Sequence, residues 1–200
     1  EYVELRLLAF IMFVTNIGLV FDSLTKFLKE KNIEVFDLFY ECLKQSDSAP
    51  KEITDIFHRF KKSTIDELWN SHEDIEKNFQ SDENYEKLLS GEMGINVLQH
   101  YQALVIFNNM EKWTEYTLKI AKTLLIKNNK FNLYTKEEFN DISNYCIGLS
   151  FKPLSRDRMK IMHEFTFNYN VPKWLEKNKK LKNFKESPFK IKFSFSEKQF

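Results

Sequence analysis

The chain has 200 residues, and its apolar fraction of 42%, with 20 Phe and 8 Tyr, is sufficient to bury the core of one domain or of one domain with an appendage. Its 30 basic and 29 acidic residues nearly cancel, so no overall positive charge attracts polyanions. Two cysteines are too few for a secreted disulfide framework or for an iron–sulfur cluster, which favours a cytoplasmic protein.

The most apolar run lies between Arg6 and Asp22 and has fifteen residues without a charge. A membrane span needs about 20 such residues, and a secretory signal begins with positive charge, whereas this chain begins with Glu1 and Glu4. We therefore expect no membrane association, and a helix over residues 2–15 that other elements enclose. Because the chain opens without Met and inside this predicted helix, we expect it to be a fragment of a longer protein.

Apolar residues at helical spacing predict a series of further helices along most of the chain. These cover residues 22–31, 33–44, 50–79, 82–89, 95–127 and 135–148. A bend is expected near Asn108 and Asn109. Thr135 and Glu138 have the spacing of a capping box, which predicts the start of the last helix, and Gly148 is expected to end it.

Two of the predicted helices have apolar stripes that should face the core. The first stripe contains Phe36, Phe39, Tyr40 and Leu43. The second contains Ile53, Ile56, Phe57, Phe60, Thr64 and Leu68. Both stripes follow the 3.6-residue period of a helix with one buried side.

After Pro153 the apolar period changes from 3.6 to 2, which is typical of a strand with one buried face. The alternating apolar residues are Phe165, Phe167, Tyr169 and Val171 in one segment and Phe189, Ile191, Phe193 and Phe195 in the next. The sequence therefore predicts a mainly α, multi-helix bundle-like domain over residues 1–152. A small antiparallel two-stranded β element in residues 153–200 should pack on it, because an isolated hairpin is marginally stable in water.

Metal-ligating residues are sparse. Asp55 and His58 place a carboxylate and an imidazole at the i and i+3 positions that di-iron bundles use. Such bundles need a second copy of the motif as well as further carboxylates, and no Glu-x-x-His follows anywhere in the sequence. The pair is therefore interpreted as a surface pair, and a metal-dependent helical oxygenase is the alternative. His72, His100 and His163 have no partner at helical spacing.

A glycine turn over residues 91–94 precedes the longest predicted helix. It lacks the lysine of a phosphate-binding loop and the third glycine of a dinucleotide fold, and is interpreted as a helix–helix turn. Because backbone amides are free at a helix N-terminus, the candidate ligand or interface residues are Glu92, Asn96, His100 and Tyr101. No catalytic, cofactor-binding or metal residue is predicted, and no motif marks Cys42 or Cys146 as an activated thiolate.

The segment 173–192 contains eight lysines and two glutamates, interleaved with Trp174, Phe184 and Phe189. Lysines and aromatic platforms together hold single-stranded nucleic acid. However, arginine is missing here and the aromatic residues have strand periodicity, so a solvated connector is the preferred interpretation and nucleic acid is not the expected partner.

Three strings resemble parts of the cobalamin-binding-type radical S-adenosylmethionine proteins, a class of iron–sulfur oxidoreductases. Residues 165–175 (FTFNYNVPKWL) and 189–199 (FKIKFSFSEKQ) are similar to their C-terminal end, and residues 87–96 (KLLSGEMGIN) to a stretch in their helical region. The resemblance implies a parent enzyme with a [4Fe–4S] cluster held by a Cys-x3-Cys-x2-Cys motif, with S-adenosylmethionine and with a cobalamin-binding domain.

That cysteine motif is missing from these 200 residues, so no cofactor is expected in this chain alone. The resemblance implies a C-terminal accessory domain without catalytic activity of its own, whose partners are the other domains of the same polypeptide. The alternative is a stand-alone helical binding or interaction module, with nucleic acid as the first partner to try.

Overall fold

A computed structural model describes residues 1–16, 19–90, 94, 96–151 and 163–194 of the chain. The fold is mainly α with one two-stranded antiparallel sheet near the C-terminus, which confirms the predicted fold class. The helices are α1 Tyr2–Thr15, α2 Asp22–Glu30, α3 Val35–Lys44, α4 Lys51–Asp66, α5 His72–Phe79, α6 Asp82–Leu89, α7 Val97–Leu104, α8 Met110–Lys127, α9 Leu133–Ser150 and α10 Val171–Leu175. The strands are β1 His163–Tyr169 and β2 Lys185–Phe193.

The centre of the core is a cluster of aromatic rings contributed by α1, α4 and α8. Phe10 of α1 stacks on Phe60 of α4 with ring centroids 4.8 Å apart, and Trp113 of α8 meets Phe57 edge-on at 5.7 Å. All four side chains are fully buried. Since each aromatic ring buries a large apolar area, this cluster fixes how the three helices pack together.

Helix α1 has the predicted bounds, but the other elements enclose it on one side only. Phe10 and Val14 are fully buried, whereas Tyr2, Leu5 and Phe13 on the opposite side are 52%, 60% and 54% exposed. The expectation of a fully enclosed helix was therefore wrong. A helix that is apolar on nearly every side can be buried on any of them, and its sequence does not determine which sides the rest of the chain covers.

The helix predicted over residues 95–127 is interrupted where the bend was expected. Helix α7 passes into a π-helical segment, Val105–Asn109, and α8 follows directly. The Asn109 side-chain amide donates a hydrogen bond to the carbonyl of Leu104 at 3.2 Å. A π-helical turn inserts one residue into the helical period, so α7 and α8 present different residues to the core than one continuous helix would.

The buried faces of α3 and α4 differ in part from the predicted stripes. Helix α3 buries Leu38, Phe39 and Cys42 and leaves Phe36 and Tyr40 exposed. The apolar residues of α3 lie on two sides, so periodicity alone could not determine which side α1 and α8 cover. The stripe of α4 is confirmed from Ile53 to Thr64, but Leu68 is half exposed.

The long helix expected over residues 50–79 was also wrong, because α4 ends at Asp66 and α5 is a separate helix. Ser71 forms the N-cap of α5, and its hydroxyl oxygen accepts a hydrogen bond from the amide of Asp74 at 3.1 Å. A serine cap satisfies an amide that otherwise has no partner, so it favours a new helix start at this point.

Both predicted ends of α9 were wrong. Asn132 is the N-cap and its side chain accepts from the amide of Thr135 at 2.9 Å, while Glu138 pairs with Lys31 of α2 instead of forming a capping box. Gly148 lies inside the helix, which continues to Ser150. A glycine in a helix costs up to about 1 kcal/mol relative to alanine, so its presence here calls for a packing reason.

The predicted hairpin is confirmed, with Phe167 opposite Phe189 and His163 opposite Phe193 in the antiparallel register. The sheet packs on α9, with Phe167 and Phe193 buried. Val171 was expected to end the first strand but begins α10. Phe195 and the proposed domain boundary at residues 152 and 153 lie outside the described residues.

Candidate functional site

Three of the four candidate residues near the start of α7 lie in the described part of the chain, and each of these three makes a contact there. Asn96 is the N-cap of α7, and its side-chain oxygen accepts from the amide of Gln99 at 3.2 Å. Tyr101 is buried, and its hydroxyl lies 2.9 Å from the hydroxyl of Ser63 on α4. His100 is exposed with its ring perpendicular to that of Tyr101. Glu92 lies outside the described residues, so a ligand role for the four together stays a prediction.

The candidate metal pair, Asp55 and His58, lies on the exposed side of α4. His58 Nε2 is 3.5 Å from a carboxylate oxygen of Asp47, and both side chains are largely exposed. The expectation that His72 has no partner at helical spacing was wrong, because exposed His72 lies 3.3 Å from the carboxylate of Glu76 at i+4. Across the described ranges, no three His, Cys, Asp or Glu side chains converge in a way that could hold a metal ion. These contacts agree with the interpretation of Asp55 and His58 as surface residues.

The two cysteines lie in the core on different helices, α3 and α9. Burial raises the pKa of the Cys42 thiol, and it raises the pKa of Cys146 to about 12 although the hydroxyl of Ser23 lies 3.4 Å from its sulfur. A thiolate is the form that ligates metals and attacks electrophiles. Both side chains are therefore core residues, and they do not fit the ligand set of an iron–sulfur cluster.

The aromatic residues of the Lys-rich tract are part of the core, as their periodicity suggested. Trp174 is fully buried and Phe184 is nearly so. Two of the lysines on the strand side form ion pairs, Lys185 with Glu137 and Lys190 with Glu164. The tract therefore cannot offer Trp174 or Phe184 as stacking platforms for bases.

A cluster that the sequence did not predict joins α9 to the end of β1. One carboxylate oxygen of buried Asp141 accepts hydrogen bonds from the backbone amides of Asn168 and Tyr169, at 2.7 and 2.8 Å. The register of the sheet shifts between Phe167 and Tyr169, at the point where these amides lie. Asp141 thus gives both amides an acceptor beside this irregularity, and burial raises the pKa of its carboxyl group.

Next to it, Glu137 accepts from the hydroxyl of Tyr169 at 3.0 Å and from Lys185 at 2.7 Å. These bonds lower the pKa of Glu137, whereas burial and the bond to Glu137 raise the pKa of Tyr169 to about 12. These shifts keep Glu137 negatively charged and Tyr169 neutral at neutral pH, so their hydrogen bond stabilises the joint between α9 and β1.

The apolar surface that stands out is the side of α1 that other elements leave open. We call Tyr2, Leu5 and Phe13, with half-buried Ala9 and Met12, the α1 outer face. In a straight α-helix these positions lie along one side of the axis. Contiguous exposed apolar side chains of this kind mark interaction sites more often than scattered ones do.

Comparison of the chain with protein-family models, with curated proteins and with solved structures gives no match in any of the three. In the part of the chain that the structure describes, no helix combines the length and the apolar character that crossing a bilayer requires.

Proposed function

We propose that this chain is a helical accessory domain that docks on the other domains of a cobalamin-binding-type radical S-adenosylmethionine oxidoreductase and has no catalytic activity by itself. The observation that carries the proposal is the α1 outer face. A helix that is apolar on nearly every side is normally covered by other elements, and here Leu5 and Phe13 are more than half exposed.

Covering the α1 outer face would be energetically useful. Leu5 and Phe13 are eight residues apart, which is about 12 Å along a helix axis. Removing the exposed parts of Tyr2, Leu5 and Phe13 from water would contribute roughly 2–5 kcal/mol before the costs of ordering are subtracted. This is enough to hold a domain that is already tethered in the same polypeptide, where docking is an intramolecular event.

The occupant is inferred from the resemblance. The strings over residues 165–175 and 189–199 include most of β1, all of α10 and the last five residues of β2. In the described part of the chain, β1 and α10 pack on α9, and β2 pairs with β1. The similar segments are therefore neighbours in space, as expected if they belong to one inherited unit. In the proposal, the cluster, S-adenosylmethionine and cobalamin are bound by other domains, since the thiols of Cys42 and Cys146 are core residues.

The coding sequence upstream of Glu1 tests the origin of the chain. The proposal requires a Cys-x3-Cys-x2-Cys motif there, followed by a barrel-forming pattern of alternating strands and helices. An upstream sequence that lacks the motif would remove the radical enzyme from the proposal.

Docking is tested by thiol labelling of Phe13→Cys in the intact polypeptide and in the 200-residue chain. Both native cysteines are fully buried, so the background reaction should be low. We expect Phe13→Cys to react at least about tenfold more slowly in the intact polypeptide, because a covered site reacts only from its open state.

Leu133→Cys is the matched control, since Leu133 is an apolar residue that is 78% exposed on α9. Its labelling rate should be the same in both proteins. Equal rates for Phe13→Cys in both proteins would show that the α1 outer face is not the docking surface, whatever the upstream sequence contains.

A further inference from the structure

A recess between α2 and the segment that follows α10 collects positive charge. It has a volume of about 390 Å³ and is lined by Lys26, Lys29, Glu30, Asn178, Lys179 and Lys180. Four lysines thus share one recess with one carboxylate. The lysines of α2 and those that follow α10 are about 150 residues apart in the sequence, so the Lys-rich tract alone could not predict that they share a recess.

Two contacts between α2 and the C-terminal segment fix the walls of the recess. The Lys26 ammonium group donates to the carbonyls of Trp174, Leu175 and Lys177 at 2.7, 3.1 and 2.7 Å. Glu30 accepts from the amide of Leu181 at 2.9 Å. An ammonium group has three N–H donors, so Lys26 contributes charge to the recess but no free donor.

The other three lysines are available to a ligand. Lys29, Lys179 and Lys180 are exposed, and none of them takes part in the ion pairs formed within the described ranges. The ammonium groups in one recess repel one another, and a bound anion offsets this repulsion because it attracts each of them. Lysine ammonium groups bind phosphate as point charges, and the amide of Asn178 adds a neutral donor.

Farther from the recess, part of the positive charge of the tract is neutralised by ion pairs. Farther along the tract, Lys185 and Lys190 are already paired with Glu137 and Glu164. Trp174 is buried beneath Lys26, whose ammonium group lies 4.7 Å from the centre of its ring. A polynucleotide would need an extended basic track and exposed aromatic rings, whereas a single phosphate group needs only the recess.

We propose that this recess binds the phosphate group of a small anion, with Lys29, Lys179 and Lys180 as the cationic donors. This proposal is independent of the docking of α1, because the two surfaces share no residue. Inorganic phosphate and a phosphorylated metabolite both present a tetrahedral oxyanion, and either one could be the ligand of this recess.

The test is a titration of the ¹⁵N-labelled chain with inorganic phosphate, with adenosine monophosphate and with adenosine, at low ionic strength. We expect shifts of the amides of residues 178–181 with a dissociation constant on the order of millimolar, and no shift with adenosine. Tighter binding of the monophosphate than of phosphate would identify a phosphorylated metabolite as the source, and equal binding would identify the free ion.

The triple variant Lys29→Gln, Lys179→Gln, Lys180→Gln should weaken phosphate binding by at least about tenfold, because it removes the three charge-assisted donors. The control removes the same charge elsewhere, with exposed Lys62→Gln, Lys119→Gln and Lys130→Gln, and should leave the affinity within about twofold. Equal loss in both triple variants, or no shift at residues 178–181, would overturn the proposal. So would a single-stranded oligonucleotide that binds much more tightly than phosphate and with a steep salt dependence.

Discussion

The ring of Phe193, the last residue of β2, packs directly on Gly148 of α9. A Cβ at Gly148 would lie 2.5 Å from three atoms of that ring, Cδ2, Cε2 and Cζ. Tyr145, one turn earlier on α9, meets the same ring edge-on at 5.7 Å. The missing side chain therefore lets the hairpin approach the helix, which is the packing reason for a glycine inside α9.

We expect Gly148→Ala to destabilise the protein by about 1–3 kcal/mol, because the added methyl group overpacks this contact. In an unhindered helix the same change would stabilise by up to about 1 kcal/mol, so the sign of the effect distinguishes the two situations. The measurement is the free energy of unfolding in urea.

The control for Gly148→Ala is the same substitution in a Phe193→Ala background. Phe193→Ala removes the ring and should be destabilising alone, by roughly 3 kcal/mol. In that background Gly148→Ala should be neutral or stabilising. If Gly148→Ala stabilises the protein that retains Phe193, the contact does not limit the approach of the hairpin.

Lys26 holds the C-terminal segment on α2, and Lys26→Met tests this role. Met keeps most of the aliphatic length but has no donor, so the carbonyls of Trp174, Leu175 and Lys177 lose their shared partner. We expect the free energy of unfolding to fall by about 1–3 kcal/mol. Hydrogen exchange in residues 171–184 should be accelerated by the substitution more than exchange in α4.

Lys29→Met is the matched control for that change, since Lys29 is an exposed lysine on the same helix. It should alter stability by no more than about 0.5 kcal/mol. Equal effects of the two variants would mean that the carbonyl contacts of Lys26 contribute nothing measurable.

Local periodicity predicted the elements that depend on local sequence. The bounds of α1 and α6, the stripe of α4 as far as Thr64 and the alternation in β1 and β2 follow from apolar spacing and are confirmed. Helix boundaries set by a single cap, such as Ser71 before α5 and Asn132 before α9, were missed because several polar residues in each loop could serve as caps.

Contacts between distant segments could not be predicted from the sequence. Lys26 and Trp174 are 148 residues apart, and Asp141 and Asn168 are 27 apart across residues 152–162. Nothing in the spacing of either pair indicates contact. For the same reason the exposed side of α1 was not foreseen, since coverage depends on how α3, α4 and α7 are arranged around it.

The cysteines provide a prediction about reactivity. Burial raises the pKa of both thiols, so at neutral pH almost none of either is thiolate, the reactive form. In the native protein we expect Cys42 and Cys146 to be alkylated at least about 100-fold more slowly than the exposed thiol of Phe13→Cys.

Mass spectrometry after alkylation, with and without urea, measures this difference. Both native thiols should react fully once urea unfolds the chain. Complete modification of either native cysteine within minutes in the absence of urea would show that its helix opens readily or that the thiol is activated.

Asp141 makes the stability of the protein depend on pH in a defined direction. Its folded-state pKa is raised, mainly by burial, above an unfolded value of about 3.9. The folded state therefore binds the proton more tightly than the unfolded state does. This contribution to stability is fully present below the unfolded pKa and is lost as the pH rises through the folded pKa.

Asp141→Asn removes this titration while its side-chain oxygen still accepts from the amides of Asn168 and Tyr169. As the pH rises from about 4 toward neutral, the wild-type protein should therefore lose stability relative to Asp141→Asn. Glu137 and Lys185 titrate in both proteins, so their effects largely cancel. Asp141→Ala should be less stable than wild type by about 2–4 kcal/mol at acidic pH, because two amides lose their acceptor. Its deficit should shrink as the pH rises, because it also lacks the titrating group. If wild type instead gains stability relative to Asp141→Asn as the pH rises, the amide hydrogen bonds outweigh burial and lower the pKa of Asp141.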